Sequence, residues 1–376
     1  MCAAVAAYGV YLALPLILGA LSDRYGFGMR DIGWTGAAEN LGLLLGSVWV
    51  SARADRGRFR AQILAGIVIA VAGNALTAGI HAFAPMAAMR LLTGFGSGMC
   101  YSAAIACLSL MRHSARHFSL LIVILVIVNS LELWLVPSLL QQAGLAGLYW
   151  VFAAAFLAPL ALLRNLPAVA SARAPATGAP SPRAAGDFRS MAWWCLFAIV
   201  MFNVAASAFW AYSERIGISL GMAGRAVSNT LTLCNLFSLT GGVFAYWLSR
   251  RWGQHRPQLA AIAAMMLIFG MWALRITVPG YVAGVLIFFE VWSMTQVYQL
   301  GTLSGIDASG RYVALVPAAQ GLGQSAGPFI AGALLGWRLG YSAVLMVMLI
   351  FVAACFAGYL NVYLRLRHRL PALAAA

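Results

Sequence analysis

The chain has 376 residues, of which 63% are hydrophobic and only 9% are charged. A soluble domain carries roughly a quarter charged residues, so this chain cannot cover a soluble surface and is expected to be an integral membrane protein. Its formal net charge is +15, and its basic charge is carried by arginine without any lysine. The arginines gather in short loops rather than on one binding face. We therefore expect it to lie in a lipid bilayer, and we expect no nucleic-acid partner.

Twelve apolar runs follow one another along the chain, each long enough to form a membrane-spanning helix. The first begins almost at the start, without the basic segment of a signal peptide, so we expect a retained helix. These runs predict an all-α integral membrane protein with twelve transmembrane helices. Their approximate cores are 2–21, 33–51, 61–81, 86–110, 118–140, 147–165, 191–212, 226–248, 258–277, 280–304, 312–336 and 340–363.

A segment between the sixth and seventh runs divides the chain into two parts. Residues 167–190 are rich in Ala, Pro, Ser and Arg without apolar periodicity, which is typical of a flexible linker. We predict a six-helix bundle at 1–166, a cytoplasmic linker at 167–190 and a second six-helix bundle at 191–376.

The two parts match one another at an offset of 195 residues. Parallel six-helix repeats are a known transporter plan, with the substrate site near mid-membrane between the repeats. The offset places Arg30 on Arg225, Asn40 on Asn235, Leu41 on Leu236, Leu44 on Leu239, Gly46 on Gly241, Arg56 on Arg251, Ser114 on Ser309 and Arg116 on Arg311.

The arginines also predict the orientation of the chain in the membrane. Loops on the cytoplasmic side of a membrane protein carry an excess of basic residues. With the N-terminus inside, most arginines fall inside, while Arg90 and Arg275 lie near outer helix ends. Only five fall outside: Arg24, Arg30, Arg215, Arg225 and Arg338. We expect a multi-pass protein of the cell (cytoplasmic or inner) membrane with both termini cytoplasmic.

Three glutamates and one arginine lie well inside the apolar runs. A charge at the centre of a membrane helix costs about 2.5–3.5 kcal/mol on insertion scales, so it seldom occurs there without a role. Glu290, Glu39 and Glu132 are candidates for binding and releasing a coupling proton. Arg90 is a candidate for holding an anionic substrate or for pairing with one of these carboxylates. The alternative for each is a buried ion pair that only fixes helix packing.

An arginine-rich turn lies between the second and third runs and reads from Ser51 to Arg60. It resembles the loop motif of the major facilitator superfamily, matching at Asp55, Arg56, Gly57 and Arg58. Ser51 occupies the position of the motif's first glycine, and one residue of the motif is missing between Arg56 and Gly57. The resemblance implies that the turn locks the cytoplasmic helix ends in the outward-facing state. The alternative is a loop whose positive charge only sets topology.

A second family motif lies in the fourth run, where an arginine precedes spaced glycines. Arg90, Gly94, Gly96 and Gly98 match it. The family's antiporter signature in the fifth run is absent apart from Pro137. Its absence does not favour drug/proton antiport. The resemblance covers essentially the whole chain and implies the family's fold of two six-helix bundles.

The resemblance also implies that the first, fourth, seventh and tenth helices line a central cavity. Polar side chains on these helices are expected to face water or protein rather than lipid. The alternative is that the aromatic residues only pack or lie at the membrane interface. The candidate substrate contacts are Tyr8, Tyr11, Arg90, Ser97, Tyr101, Asn203, Ser207, Trp210, Trp292 and Gln296.

Other chemistries find little support. The six cysteines are scattered without metal or disulfide spacing, and no phosphate-binding loop or catalytic nucleophile motif appears. We expect no enzyme activity, no cofactor, no metal and a monomer. The favoured function is secondary transport of a small organic molecule, with proton coupling. The alternatives are an uncoupled facilitator and a transporter-like sensor or assembly factor that moves nothing.

The predicted topology can be tested by thiol labelling. Cysteines placed at Gly178 and Ala372 should be shielded from an impermeant reagent in whole cells, because both positions are expected to be cytoplasmic. They should react once the cytoplasmic side is opened. Labelling of either position in intact cells contradicts the model with both termini inside.

Overall fold

The computed structural model describes residues 1–53, 58–109, 114–163, 185–307 and 312–369. These residues are helical apart from short turns and caps, and no β-strand occurs among them. The predicted all-α class is therefore confirmed for the described part of the chain. The predicted linker falls largely outside it.

The described residues of the first part of the chain form seven helices. The helices are α1 (Cys2–Leu12), α2 (Leu14–Tyr25), α3 (Met29–Ser51), α4 (Phe59–Thr77), α5 (Phe83–Ser109), α6 (Ser114–Ala155) and α7 (Leu157–Leu162). α1 and α2 share the first apolar run, α3 to α5 correspond to the second to fourth runs, α6 contains the fifth run and the start of the sixth, and α7 continues the sixth.

The described residues of the second part form seven more helices and one short 3₁₀ turn at Val313–Leu315. They correspond to the last six apolar runs, with the eighth run divided between α9 and α10. The helices are α8 (Ala185–Ser219), α9 (Gly224–Phe237), α10 (Leu239–Trp252), α11 (His255–Leu274), α12 (Val278–Ile306), α13 (Val316–Gly336) and α14 (Gly340–Arg369).

Two interruptions in these helices have local causes. α1 and α2 meet at 44°, and Pro15 stands in the first turn of α2, where a proline lacks the N–H that would continue the preceding helix. α6 is broken at Gly144, whose φ of 69° is left-handed. Unbroken, its 42 residues would measure about 63 Å, twice the roughly 30 Å hydrocarbon core of a bilayer. The break thus allows α6 to supply two crossings.

Within the described residues, eight helices are long and apolar enough to cross a membrane, or nine when the bent pair α1–α2 forms one span. The chain is therefore a membrane protein with several apolar helices. α3 is not among the eight helices that meet this test, and it carries Arg30, Asp31 and Glu39. Twelve crossings remain a prediction.

The residues group into two compact units that draw on both parts of the sequence. The first comprises Met1–Ala174, Trp210–Thr232 and Pro328–Trp337. The second comprises Pro175–Phe209, Leu233–Gly327 and Arg338–Ala376. The predicted division at the linker remains a prediction.

The closest helix contact in the first unit joins α3 to α5 through glycines. A Cβ atom at Gly94 would overlap the carbonyl oxygen of Glu39, and one at Gly98 would overlap that of Leu43. From the other side, a Cβ at Gly42 or Gly46 would overlap a carbonyl oxygen of α5. Small residues spaced in this way let helix backbones touch in a membrane. The two helices are thus packed backbone to backbone.

We expect Gly94→Ala to lower the stability of the protein. The added methyl group would force α3 and α5 apart, and overpacking of this kind costs about 1–3 kcal/mol. Gly242→Ala is the matched control, because a Cβ at Gly242 in α10 meets nothing within 4 Å. Thermal unfolding in detergent should show a lower Tm for Gly94→Ala and an unchanged or higher Tm for the control. Equal Tm values would contradict the close contact.

Candidate functional site

A polar cluster surrounds Arg90 inside the first unit. Arg90 Nη2 donates to Asn74 Oδ1 at 3.0 Å, to Thr77 Oγ1 at 2.8 Å and to Thr93 Oγ1 at 3.0 Å. The guanidinium carbon lies 4.7 Å from the centroid of the Tyr149 ring, within range of a cation–π interaction. These contacts come from α4, α5 and α6. Glu39, described next, adds a contact from α3.

Glu39 is the counter-charge of this arginine. Its Oε2 atom lies 3.4 Å from Arg90 Nη1, and the two side chains are 3% and 2% exposed. A buried charge is tolerated only when it is paired, and the α3–α5 contact places the two groups together. This geometry favours the packing alternative for Arg90 and Glu39. Their roles in substrate binding and proton coupling remain predictions.

Three tyrosines that the sequence nominated lie together in the first unit. The Tyr8 ring is 4.6 Å from the Tyr101 ring and 5.2 Å from the Tyr11 ring, between centroids. The hydroxyls of Tyr11 and Ser97 are buried and have no hydrogen-bond partner among the described residues. Ser97 lies one turn before Tyr101 on α5. These residues form a candidate surface of ring faces and available hydroxyls.

Trp210 joins this group through the backbone of α1. Its Nε1 donates to the Tyr11 carbonyl oxygen at 3.2 Å. In a continuous helix that oxygen would accept the N–H four residues later, but that residue is Pro15, which has none. That oxygen also accepts a backbone N–H at the end of α1, so the indole shares it with the backbone, and Trp210 is buried with 2% exposure.

The second unit brings together Gln296 and a residue that the sequence analysis missed. Gln320 Nε2 in α13 donates to Gln296 Oε1 at 2.8 Å, and both residues are half-buried. Trp292 packs against Phe288, with ring centroids 5.5 Å apart. Gln320 was missed because the resemblance did not name the eleventh helix as cavity-lining. A glutamine in a helix of small and apolar residues was the available signal.

Asn203 and Ser207 lie on α8 and are fully buried in the second unit. Ser207 Oγ donates to the Gly323 carbonyl oxygen at 3.2 Å. Asn203 Nδ2 donates to the Ile199 carbonyl oxygen at 2.9 Å, whereas its Oδ1 has no partner among the described residues. Ser207 is therefore engaged in helix packing, and Asn203 keeps one free acceptor.

Glu290 is half-buried on α12 and has a different environment from Glu39. Its Oε1 accepts a hydrogen bond from Thr240 Oγ1 on α10. Its Oε2 is buried without a hydrogen-bond partner, and no cation within the described residues forms an ion pair with it. Glu132, on α6, likewise has a buried Oε2 without a partner.

The predicted gate falls mostly outside the described residues. Asp55, Arg56 and Gly57 are not among them. Arg58 is exposed and directly precedes α4. The role of this turn remains a prediction.

A second ion cluster, which the sequence analysis did not predict, lies near the C-terminal ends of α2 and α8. Arg215 Nη1 and Nη2 donate to the two carboxylate oxygens of Asp23 at 2.6 and 2.7 Å. Arg215 Nε also donates to Glu214 Oε2 at 2.6 Å. Such two-pronged arginine–carboxylate pairs are geometrically specific. The cluster ties the end of α2 to α8 within the first unit.

The sequence profile of the Major Facilitator Superfamily matches residues 1–306. The chain belongs to this superfamily. The match covers the helices that carry both the Arg90 cluster and Glu290. Within the described residues of this superfamily member, no group of three or more His, Cys, Asp or Glu side chains could hold a metal ion.

Solved structures with the same fold are transporters of different solutes. The nucleoside transporter NupG has a TM-score of 0.74 at 13% identity, covering 96% of this chain and 97% of NupG. A D-xylose–proton symporter has a TM-score of 0.70 at 13% identity, covering 96% and 95%. A bacterial homologue of the human lysosomal transporter Spinster has a TM-score of 0.73 at 12% identity, covering 96% and 95%. No curated protein sequence matches the chain.

We expect Arg90→Met to destabilise the superfamily member by about 3–5 kcal/mol, because it leaves the Glu39 carboxylate buried without its counter-charge. The double variant Arg90→Met/Glu39→Gln should recover most of that loss. Arg250→Met, at an exposed arginine, is the control and should change stability by less than about 0.5 kcal/mol. Chemical or thermal unfolding of the wild type and the three variants measures these changes in stability. A stable Arg90→Met that fails to bind substrate would instead favour direct contact with the substrate.

Proposed function

We propose that this superfamily member is a secondary active transporter of a small organic solute that works by alternating access and is driven by protons. Family membership supports transport. The environment of Glu290 supports proton coupling. We further propose that it is a monomer of the cytoplasmic or inner membrane, with both termini in the cytoplasm.

The observation that carries the coupling proposal is the contrast among the membrane carboxylates. Glu39 lies against Arg90, and Glu214 lies against Arg215. Glu290 has one hydrogen bond from Thr240 and a buried oxygen without a partner. A carboxylate in an apolar setting must be neutralised, and a proton is the partner that Glu290 lacks. Glu290 is therefore the first candidate for the coupling site, and Glu132 and Glu39 follow.

For the substrate we propose contacts in each unit separately. In the first unit Tyr8 and Tyr101 offer ring faces, and Tyr11 and Ser97 offer buried hydroxyls without a hydrogen-bond partner among the described residues. In the second unit the contacts are the Gln296–Gln320 amide pair, together with Trp292. None of these side chains is charged, which favours an uncharged polar solute. Nucleosides and sugars are the first classes to screen, since structural neighbours are named for them.

Alternating access requires contacts that hold in one state and separate in another. We propose that the Asp23–Arg215 pair is such a contact. The Asp23 side chain is 59% exposed, whereas that of Arg215 is 8% exposed. Because Asp23 already lies at the surface, water can replace the arginine around its carboxylate when the pair separates. The buried Arg90–Glu39 pair has no such access and is proposed to persist through the cycle.

Two other functions are distinguished by measurements of flux. An uncoupled facilitator would carry solute only down its own gradient. A sensor or assembly factor would bind solute without moving it. Binding, solute exchange and gradient-driven uptake by the same reconstituted protein separate these three cases.

The coupling proposal is tested with Glu290→Gln in proteoliposomes, once a substrate has been found by thermal-shift screening. The amide mimics the neutral carboxyl group, so substrate should still bind and exchange across the membrane. Uphill uptake driven by a pH gradient should be lost, because no proton can be released. Thr240→Val is the matched control: it removes the hydrogen bond but keeps the carboxylate, so gradient-driven uptake should persist.

Full gradient-driven uptake by Glu290→Gln rejects Glu290 as the coupling site, and the same test then passes to Glu132 and Glu39. A parallel fall of stability, exchange and uptake would show a structural role for Glu290 instead.

A further inference from the structure

A cavity of about 310 Å³ opens on the first unit between α1, α6 and α7. Its walls are apolar side chains such as Val5, Val128, Phe152 and Pro159. Glu132 is the only charged side chain among the described residues that line it. The volume is at the small end of ligand-binding pockets, and a single polar group in an apolar wall is typical of such sites.

The carboxylate of Glu132 lies where α6 comes close to α1. A Cβ atom at Gly9 would be 3.0 Å from Glu132 Oε1 and 3.6 Å from the Phe152 ring. The absence of a side chain at Gly9 leaves room for the carboxylate between the two helices. Its Oε2 atom is buried and has no hydrogen-bond partner among the described residues. The cavity is therefore bordered by a carboxylate that has one oxygen without a protein partner among the described residues.

The surface around the cavity is apolar. On α6 the side chains of Ile127 and Leu131 are each 50% exposed, and on α7 Leu157 is 58% exposed. In a membrane protein such a surface faces the acyl chains, so the cavity is accessible to molecules dissolved in the bilayer. A ligand that enters this way must carry an apolar body.

We propose that this cavity binds a small amphiphilic cation, namely an organic ammonium ion with a short apolar chain or ring. The apolar body fills the space between α1 and α6, and the ammonium group neutralises Glu132. Charge complementarity selects this occupant, because an uncharged acyl chain would leave the carboxylate without a partner. A phospholipid headgroup fits less well, since no basic side chain among the described lining residues could pair with its phosphate.

A second apolar cavity, in the other unit, shows what the carboxylate adds. It measures about 620 Å³ and is lined by Leu233, Phe237 and Val278 among others, with no charged side chain among the described residues that line it. Its described lining offers a cation no counter-charge. The proposal for the Glu132 cavity does not rest on the identity of the transported solute or on the role of Glu290, which lies in the second unit.

The test measures equilibrium binding of radiolabelled trimethyl(4-phenylbutyl)ammonium to the full chain in nanodiscs of zwitterionic lipid, with empty nanodiscs subtracted. This probe has a permanent charge and a short apolar body. We expect saturable binding whose Kd is weakened at least tenfold by Glu132→Gln. Asp31→Asn, which removes a carboxylate from α3 of the same unit, is the matched control and should bind as the wild type does. Ala6→Phe, which fills the cavity, should abolish binding.

Competition in the wild-type protein keeps the proposal falsifiable if a variant fails to fold. Uncharged 4-phenylbutanol should displace the probe at least tenfold less effectively than the unlabelled cation does. Equal displacement, or unchanged binding by Glu132→Gln, overturns the proposal and leaves an apolar groove. Displacement by phosphatidylethanolamine added to the nanodiscs would also overturn it, by assigning the site to a lipid headgroup.

Discussion

The backbone contact between α3 and α5 is the constraint on which the first unit depends. Four glycines let the two helices touch, and the contact runs along the carbonyl of Glu39 itself. Because Gly94 lies one turn after Arg90, the same contact brings the arginine of α5 to the glutamate of α3. Two charges that would each be costly in a bilayer thus neutralise one another. Asn74, Thr77 and Thr93 accept hydrogen bonds from Nη2, and the Tyr149 ring lies against the guanidinium group, whereas Nε has no hydrogen-bond partner among the described residues.

Glu39, Glu290 and Glu132 illustrate that burial alone does not define the function of a membrane carboxylate. Glu39 is held by an arginine, Glu290 by a single threonine hydroxyl, and Glu132 borders an apolar cavity. The same side chain is suited to packing, to proton exchange or to binding a cation, according to its partner. The surroundings of each carboxylate, rather than its depth in the membrane, are what separate the three proposals.

Much of the fold could be predicted from the sequence, because hydrophobic runs and arginine-rich loops reflect the bilayer directly. The predicted runs overlap the helices of the described residues. Less of the candidate site could be predicted from the sequence. Arg90 and Glu39 were each recognised as unusual, but their pairing depends on two helices meeting in space. Asn74, Thr77 and Gln320 were missed, since uncharged polar residues are common in membrane helices and their partners cannot be known from one sequence. The Asp23–Arg215 pair was missed because its members lie 192 residues apart.

The offset of 195 residues that relates the two parts of the sequence gives the Arg90 cluster a counterpart. It places Asn74 on Phe269, Thr77 on Trp272, Arg90 on Val285 and Thr93 on Phe288. In the second unit Phe269, Trp272 and Phe288 surround Phe209, whose ring centroid lies 4.9 Å from that of Trp272 and 4.5 Å from that of Phe288. Matching positions are thus filled by directional hydrogen bonds in one half of the sequence and by aromatic rings in the other. Rings in contact can slide with little loss of energy, whereas an arginine with fixed acceptors cannot. We therefore expect the hydrogen-bonded cluster to hold its helices in place and the aromatic cluster to permit small adjustments of helix position.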